Sequence, residues 1–331
     1  MNKTLILSPG RQVHIINQFH EYCEVCLGDY DLSVLELYPG TPHLRMPRYS
    51  SPEYKQQLLA YIKENNIEYI LSMSDIENVL LGRYENDFLK EGCRLIGVSY
   101  EVALRCLDKY AFFEWLRNNG IDTPLSFLSK VDIERALQNG TITLPLLKKS
   151  RLGMASKGLE IIQSLKEIDD AEQKANKEDW SYLGIKNTDK LTIYQECLKG
   201  EEYGVDIVND MNGNFVACCI KKKLAMRNGE TDEAVILDDP TILTVAKRLS
   251  SIVHHKGNID CDLIKCGERC FIIDINPRFG GGYIFSAMAG LNVPALLFGT
   301  VKKFTPHHIG KRYRRISKIV EIHEQKDIHY C

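Results

Sequence analysis

The residues best suited to chemistry lie in Phe271-Ile-Ile-Asp-Ile-Asn-Pro-Arg-Phe-Gly-Gly-Gly-Tyr283. An apolar run delivers Asp274, Asn276 and Arg278 at alternating positions, and Pro277, which cannot donate to a ladder, ends the strand. Side chains alternate across a strand, so Asp274 and Asn276 share a face, joined by Arg278 if the strand continues. Gly280, Gly281 and Gly282 then let the backbone approach a ligand closely. A carboxylate, an amide and a guanidinium beside a glycine run suit a metal-bound polyphosphate. The preceding stretch, Asn258 to Ile264, alternates polar and apolar residues and leads into a hairpin turn at Lys265-Cys-Gly-Glu-Arg269. Pairing Ile264 with Cys270 sets Asp260 opposite Asp274 and Asp262 opposite Ile272. Facing carboxylates repel, and a divalent cation between them removes the repulsion. Mg²⁺ takes one or two carboxylates together with phosphate oxygens. The plainer alternative is two solvated acids on an exposed hairpin.

A second stretch points the same way. Leu144-Pro-Leu-Leu-Lys-Lys-Ser-Arg-Leu-Gly-Met-Ala-Ser-Lys-Gly158 carries an apolar strand and a lysine pair into a loop containing Gly153, Ala155, Ser156 and Gly158. Small residues admit phosphate oxygens to backbone N–H groups, and lysine serves phosphate as a point charge. No GxxxxGK[ST] is present, so this is not a Walker loop. Farther on, Lys221 and Lys223 share one strand face, with Arg227 on it too if the strand runs on. Such a row suits a polyphosphate or an anionic substrate; a solvated basic edge strand would look alike.

The elements that must position these residues follow from the pattern. Lys3–Ser8, Asp31–Leu37, Ile67–Ser72 and Arg94–Val98 read as strands, with helices at Val13–Tyr22, from Pro52 to near Asn65, and Asp75–Leu89. That alternation implies a parallel, doubly wound sheet. Ser8-Pro-Gly-Arg is no dinucleotide fingerprint, although Arg11, Asp75 and Glu77 fall at carboxyl ends of strands, where open α/β sheets bind ligands. They serve equally well as helix caps. Later come a strand at Leu191–Leu198, a hairpin closed by Asp210-Met-Asn-Gly213, a helix from Asp239-Pro240 to about His255, short helices after Gly282 and Pro294, and a basic final strand within Ile309–Ile322.

Composition sets the bounds. The chain has 331 residues, net charge −2 and 11 cysteines. Its balanced charge gives no case for nucleic acid or acidic membranes as partners. Met1-Asn-Lys-Thr-Leu-Ile-Leu lacks the form of an export signal, and no apolar run approaches a membrane span. The cysteines read as free thiols in a reducing, cytoplasmic setting, with Cys218, Cys219 and Cys261 as small core residues. No Ser/His/Asp or Cys/His set argues for a nucleophilic enzyme; His254 and His255 read as structural.

Taken together, these motifs resemble the ATP-grasp superfamily, most closely its short, single-copy proteins similar to the carbamoyl phosphate synthase large subunit. The resemblance spans almost the whole chain, with its specific motifs between Lys109 and Gly282. It implies an N-terminal doubly wound, parallel-sheet pre-ATP-grasp domain (1–104). A two-lobed α+β ATP-grasp domain follows, with its small lobe and phosphate loop at 105–190. Residues 191–331 are its C-terminal lobe. It also implies ATP with Mg²⁺ or Mn²⁺. Lys109, Lys149 and Ser156 would contact nucleotide, and Gln195, Glu196 and Leu198 would form the adenine hinge. Glu202 would hold the ribose, with Lys223 and Arg227 beside the phosphates. Asp260, Asp274 and Asn276 would bind metal, and Arg278 would face the transferred phosphoryl group.

Two departures stand out: Asp274 replaces the family's usual Glu, one methylene longer, and Ser150 replaces the proline after the lysine. The activity implied is an ADP-forming ligase that activates a small-molecule carboxylate as an acyl phosphate for attack by an amine; a homodimer is compatible with this. A catalytically weak nucleotide-binding or regulatory protein, and a carboxylate kinase of carbamate type, are the alternatives. One phosphate loop and one metal strand speak against full carbamoyl phosphate synthesis, which uses two ATP-grasp halves.

Overall fold

The computed structural model describes residues 1–152, 159–168, 181–185, 190–227, 229–299, 301 and 303–316. Ser156 with the rest of 153–158, residues 169–180, and the chain after Ile316 lie outside these residues.

The first five strands are β1 (Lys3–Leu7), β2 (Glu24–Asp29), β3 (His43–Arg45), β4 (Tyr69–Ser72) and β5 (Arg94–Leu95). They form a parallel sheet in the order β3-β2-β1-β4-β5. Every side chain from Thr4 to Leu7 and from Val25 to Gly28 is buried, as both-face coverage by crossover helices requires. The strand expected at Asp31–Leu37 is a correction. The second strand is Glu24–Asp29, and Leu32–Leu35 is a helical turn, because the Asp31 carboxylate accepts from Ser33 N and starts a helix. After the helix Tyr54–Glu64, which has no side-chain cap, Ser74, Ser99 and Asp108 cap the helices Asp75–Lys90, Tyr100–Leu107 and Lys109–Asn118, each accepting from a backbone N–H of the first turn.

A small antiparallel sheet follows: β6 (Ser126–Phe127), β7 (Leu146–Ser150), β8 (Glu160–Ile162) and β9 (Thr192–Glu196), in the order β6-β9-β7-β8. Ile133, Ile142, Leu146, Ile162 and Tyr194 give it a separate core. The third sheet holds β10 (Glu201–Asn209), β11 (Phe215–Arg227), β12 (Glu230–Leu237), β13 (Gly257–Cys266), β14 (Arg269–Asn276) and β15 (Arg312–Arg314), ordered β14-β13-β10-β11-β12-β15. The helix Pro240–Val253 packs on it through Ile242, Ala246 and Leu249. One core cluster runs from Leu5 and Ile70 of the first sheet and Phe88 of the helix Asp75–Lys90 to Val205, Leu263 and Ile272 of the third sheet, so these two layers are buried against each other. Among the described residues no helix is long and apolar enough to cross a membrane.

The β13–β14 register corrects the sequence expectation. Asp262 stands opposite Asp274, and Asp260 opposite Asn276. Two local features cause the shift. The turn is the two-residue Gly267-Glu268, with Gly267 at φ +62, so Lys265 pairs with Cys270. A bulge then falls between Asp262 and Leu263. It leaves Ile273 without a cross-strand partner, as bulges do.

Candidate active site

The small sheet and the large sheet face each other across a cavity of about 530 Å³. From the small-sheet side come Lys109, Leu147, Lys149, Ser150, Gln195, Glu196, Cys197 and Leu198; from the large-sheet side Glu202, Lys223, Met226, Asp262, Ile264, Ile273 and Asp274. Of the expected nucleotide-contacting residues, Lys109, Lys149, Gln195, Glu196, Leu198, Glu202 and Lys223 therefore line one space. Arg227 does not. One extra residue in β11, Leu224, lies between the pairs Lys223–Ala234 and Ala225–Glu233; it reverses the side-chain alternation, so Met226 lines the cavity. Arg227 is turned toward Asp232 at 3.7 Å and is largely exposed.

Lys149 is the most constrained cation. It lies half-buried over the face of Phe113, 4.9 Å from the ring centroid, and its Nζ donates to the carbonyl of Ile273 at 3.2 Å. That carbonyl belongs to the bulge residue, so the irregularity supplies the acceptor. Burial lowers the Lys149 pKa to about 8, with Asp274 opposing the shift. Lys109 opens the helix capped by Asp108, and its Nζ lies 3.9 Å from Asp274 Oδ1. Asp108 also accepts two bonds from Arg151, at 2.8 and 2.7 Å. This bidentate pair ties the end of β7 to the Lys109 helix, a clamp that single-residue reading of the sequence did not find.

On the opposite wall, Lys223 bridges Glu202 at 2.8 Å and Asp262 at 2.7 Å. The two carboxylates hold its pKa above the ordinary lysine value against the burial that opposes them. Asp262 itself is pushed up by burial and by Asp274, with Lys223 pulling it down. Glu202, though half exposed, is thus occupied by a lysine. Lys221, expected beside Lys223 in a basic row, is instead sunk in the sheet, paired with Asp206 and hydrogen-bonded to Ser286 Oγ at 3.0 Å.

The hinge side is similarly organised. Gln195 is fully buried and donates to Ser126 Oγ at 2.7 Å. The Glu196 carboxylate accepts from Leu125 N at 2.9 Å. The side chains of both residues thus hold β9 in place, and what the hinge can offer a base is backbone.

The metal candidates separate into two layers. Asp262 and Asp274 face each other and border the cavity. Asp260 and Asn276 do not border it; Asn276 Nδ2 donates to Asp260 Oδ2 at 3.3 Å. Burial, with Asp262 and Asp206 nearby, raises the Asp260 pKa to about 7. A Cβ on Gly280 would come within 2.0 Å of Asp260 Oδ2, so only glycine leaves this carboxylate its room. Among the described residues no group of three His, Cys, Asp or Glu side chains is placed to hold a metal alone. Two all-oxygen carboxylates opposite each other, beside a site for phosphates, fit Mg²⁺ with phosphate oxygens completing its shell. Arg278, also outside the cavity lining, donates to Asp75 Oδ2 at 2.7 Å, to Asn276 Oδ1 at 3.3 Å and to the Phe279 carbonyl at 2.8 Å.

Comparison with known proteins agrees with this geometry. Residues 188–324 match the family described as "ATP-grasp in the biosynthetic pathway with Ter operon". The chain carries an ATP-grasp domain. Residues 4–96 match the PylC-like N-terminal domain, so the ATP-grasp domain stands behind a parallel-sheet domain of that kind. The large chain of carbamoyl phosphate synthase from Campylobacter jejuni is 21% identical over 252 residues, covering 72% of this chain but only 22% of that relative. The chain thus spans about a fifth of that protein. Among solved ATP-grasp structures, the biotin carboxylase domain of Hydrogenobacter thermophilus 2-oxoglutarate carboxylase, in complex with MgADP, ADP and bicarbonate, superposes with a TM-score of 0.70. It is 13% identical, with 93% of this chain and 72% of that one covered. The L-amino acid ligase of Bacillus licheniformis gives 0.65 at 16% identity, over 90% and 73%. The fold is that of the ATP-grasp ligases.

Proposed function

We propose that this protein is an ATP- and Mg²⁺-dependent, ADP-forming ligase that joins a small-molecule carboxylate to an amine. The observation that carries the reading is the convergence on one cavity of two phosphate-seeking lysines, Lys109 and Lys149, with the facing pair Asp262 and Asp274. In this reading the substrate carboxylate oxygen attacks the γ-phosphorus, ADP leaves, and an acyl phosphate forms. The amine nitrogen then attacks the acyl carbon, phosphate departs, and the amine proton is lost to a base or water. Such chemistry asks little covalent help of the protein and much positioning and charge stabilisation. Bound Mg²⁺ would neutralise phosphate charge, held by Asp262 and Asp274 with Asn276 behind them.

Asp262 thereby takes the place first given to Asp260, which we assign to orienting Asn276. Lys149 and Lys109 address the phosphates. Freed from Lys223, Glu202 accepts from the ribose hydroxyls, while the Glu196–Leu198 backbone meets the base. Residues 105–190 and 191–331 act as the two lobes, and Arg278 faces the phosphoryl group in flight. ADP release from MgATP, measured with pooled L-amino acids and carboxylates, tests the reading: substrate-stimulated ADP and an amide product are expected, and ADP without amide would favour a carboxylate kinase. One observation favours a catalytically weak nucleotide-binding protein instead, namely that both facing acids are the short Asp. No substrate-stimulated ADP would support that alternative.

A further inference from the structure

Asp75 belongs to the parallel sheet's side of the molecule, as the first residue of the helix Asp75–Lys90 after β4, yet its carboxylate is buried against the strand that carries Asp274. Among the described residues its carboxylate is hydrogen-bonded to Arg278 Nη2, across 203 residues of sequence. Its second oxygen, Oδ1, and Arg278 Nε are both buried, with no hydrogen-bond partner among the described residues. A narrow gap beside them is bordered by Asp75, Lys109, Asp274 and Asn276. Arg278 thus stands between opposing attractions. Asp260 and Asp274 act on it from the metal-strand side, and Asp75 acts from the parallel-sheet side.

We infer that Asp75 is a positioning residue that holds the Arg278 guanidinium away from the metal-binding carboxylates and presents it to the transferring phosphoryl group, so that the parallel-sheet domain completes the ATP-grasp site. Without that counter-charge the guanidinium falls toward Asp274 and competes with the cation. This rests on the reading of Arg278 given above, and the test separates the two.

The probe is MgADP with aluminium fluoride, which mimics the phosphoryl group in flight and needs no known substrate. MgADP affinity is measured alone and then with fluoroaluminate. Asp75→Asn should bind MgADP within about twofold of wild type but hold the fluoroaluminate complex about tenfold to a hundredfold more weakly, the size of one lost charge-assisted bond. Arg278→Gln should lose the complex, and the Asp75→Asn/Arg278→Gln double variant should be no weaker than Arg278→Gln alone, because the two act as a unit. Wild-type trapping by Asp75→Asn, or losses that multiply in the double variant, overturns the inference while leaving Arg278 in its role. Wild-type trapping by Arg278→Gln, or none by wild-type protein, overturns both. Asp75→Ser, which keeps a good helix-start residue, serves where Asp75→Asn folds poorly. A crystal structure of either Asp75 variant with Arg278 unmoved also overturns the inference.

Discussion

Two clusters of ionisable groups in this protein have opposite fates. In the cleft between the antiparallel sheets, Lys109, Lys149, Lys223, Glu202, Asp262 and Asp274 surround an open space. At the carboxyl ends of β1 and β4, Glu77 is sealed in. Its carboxylate accepts from Ser8 Oγ at 2.9 Å, Ser72 Oγ at 2.5 Å and Tyr54 OH, and Tyr49 OH closes over Ser8 at 3.0 Å. This is the point where strand order reverses, the usual ligand crevice of an open α/β sheet. Here side-chain hydroxyls fill it. The contrast teaches that an acidic residue at a strand end is not evidence of a site; what matters is whether its neighbours satisfy it. Glu77 has neutral donors and no space, whereas Asp262 and Asp274 face each other and the cations Lys223 and Lys109 across an open cavity.

The comparison is broken most decisively at the facing acids. Asp274→Asn and Asp262→Asn should each lower MgATP turnover by about a hundredfold or more, with circular dichroism and thermal melting unchanged in form. Asp260→Asn should cost less, about tenfold, as a group acting through Asn276. Equal losses at Asp260 and Asp262 would undo the layered assignment.

The next effect is on pH dependence. Lys149, lowered to about 8 by burial, is charged below that pH and neutral above it. A neutral amine no longer attracts phosphate, so calorimetry should show MgATP affinity falling as pH rises through about 8. Lys149→Arg should remove that dependence, since arginine stays charged.

On the sealed side, Glu77→Gln should leave nucleotide affinity within about twofold and change stability instead. Burial raises the Glu77 pKa from 4.5 to about 6. A carboxyl raised on folding favours the folded state below the unfolded value of 4.5, and that contribution is lost as pH rises through about 6. The neutral amide should therefore gain about 2 kcal/mol on wild type between pH 4.5 and pH 8 in denaturant unfolding. A flat difference would mean that the hydroxyls fully offset the burial. The smallest effect belongs to Arg227→Ala, expected within about twofold for nucleotide binding because the side chain points into solvent.

The parts legible in sequence were those set by local pattern. Alternation of strands and helices gave the parallel sheet, and Asp210-Met-Asn-Gly213 gave the hairpin turn. The lysine pair before small residues and the Asp-x-Asn-x-Arg strand located both walls of the cleft. What failed depended on single-residue irregularities. The two-residue turn at Gly267-Glu268 and the bulge at Ile273 together moved the facing acid from Asp260 to Asp262, and the extra residue in β11 turned Arg227 outward. Neither leaves a signature in hydrophobic alternation, because one inserted residue costs little locally yet inverts every position after it. Asp31–Leu37 was misread as a strand for a related reason. Its apolar run is short enough to suit either structure, and the Asp31 cap decided for the helix.

By itself, the chain determined which side chains could take part: acids, amide and guanidinium on one strand, lysines on another, glycines to let the backbone near. Tertiary structure alone decided which of them meet. The Asp75–Arg278 pair spans 203 residues, and the Lys149–Ile273 bond spans 124. Separations of that size are fixed only when sheets pack, since no local rule of helix or strand relates residues beyond a few turns or one hairpin.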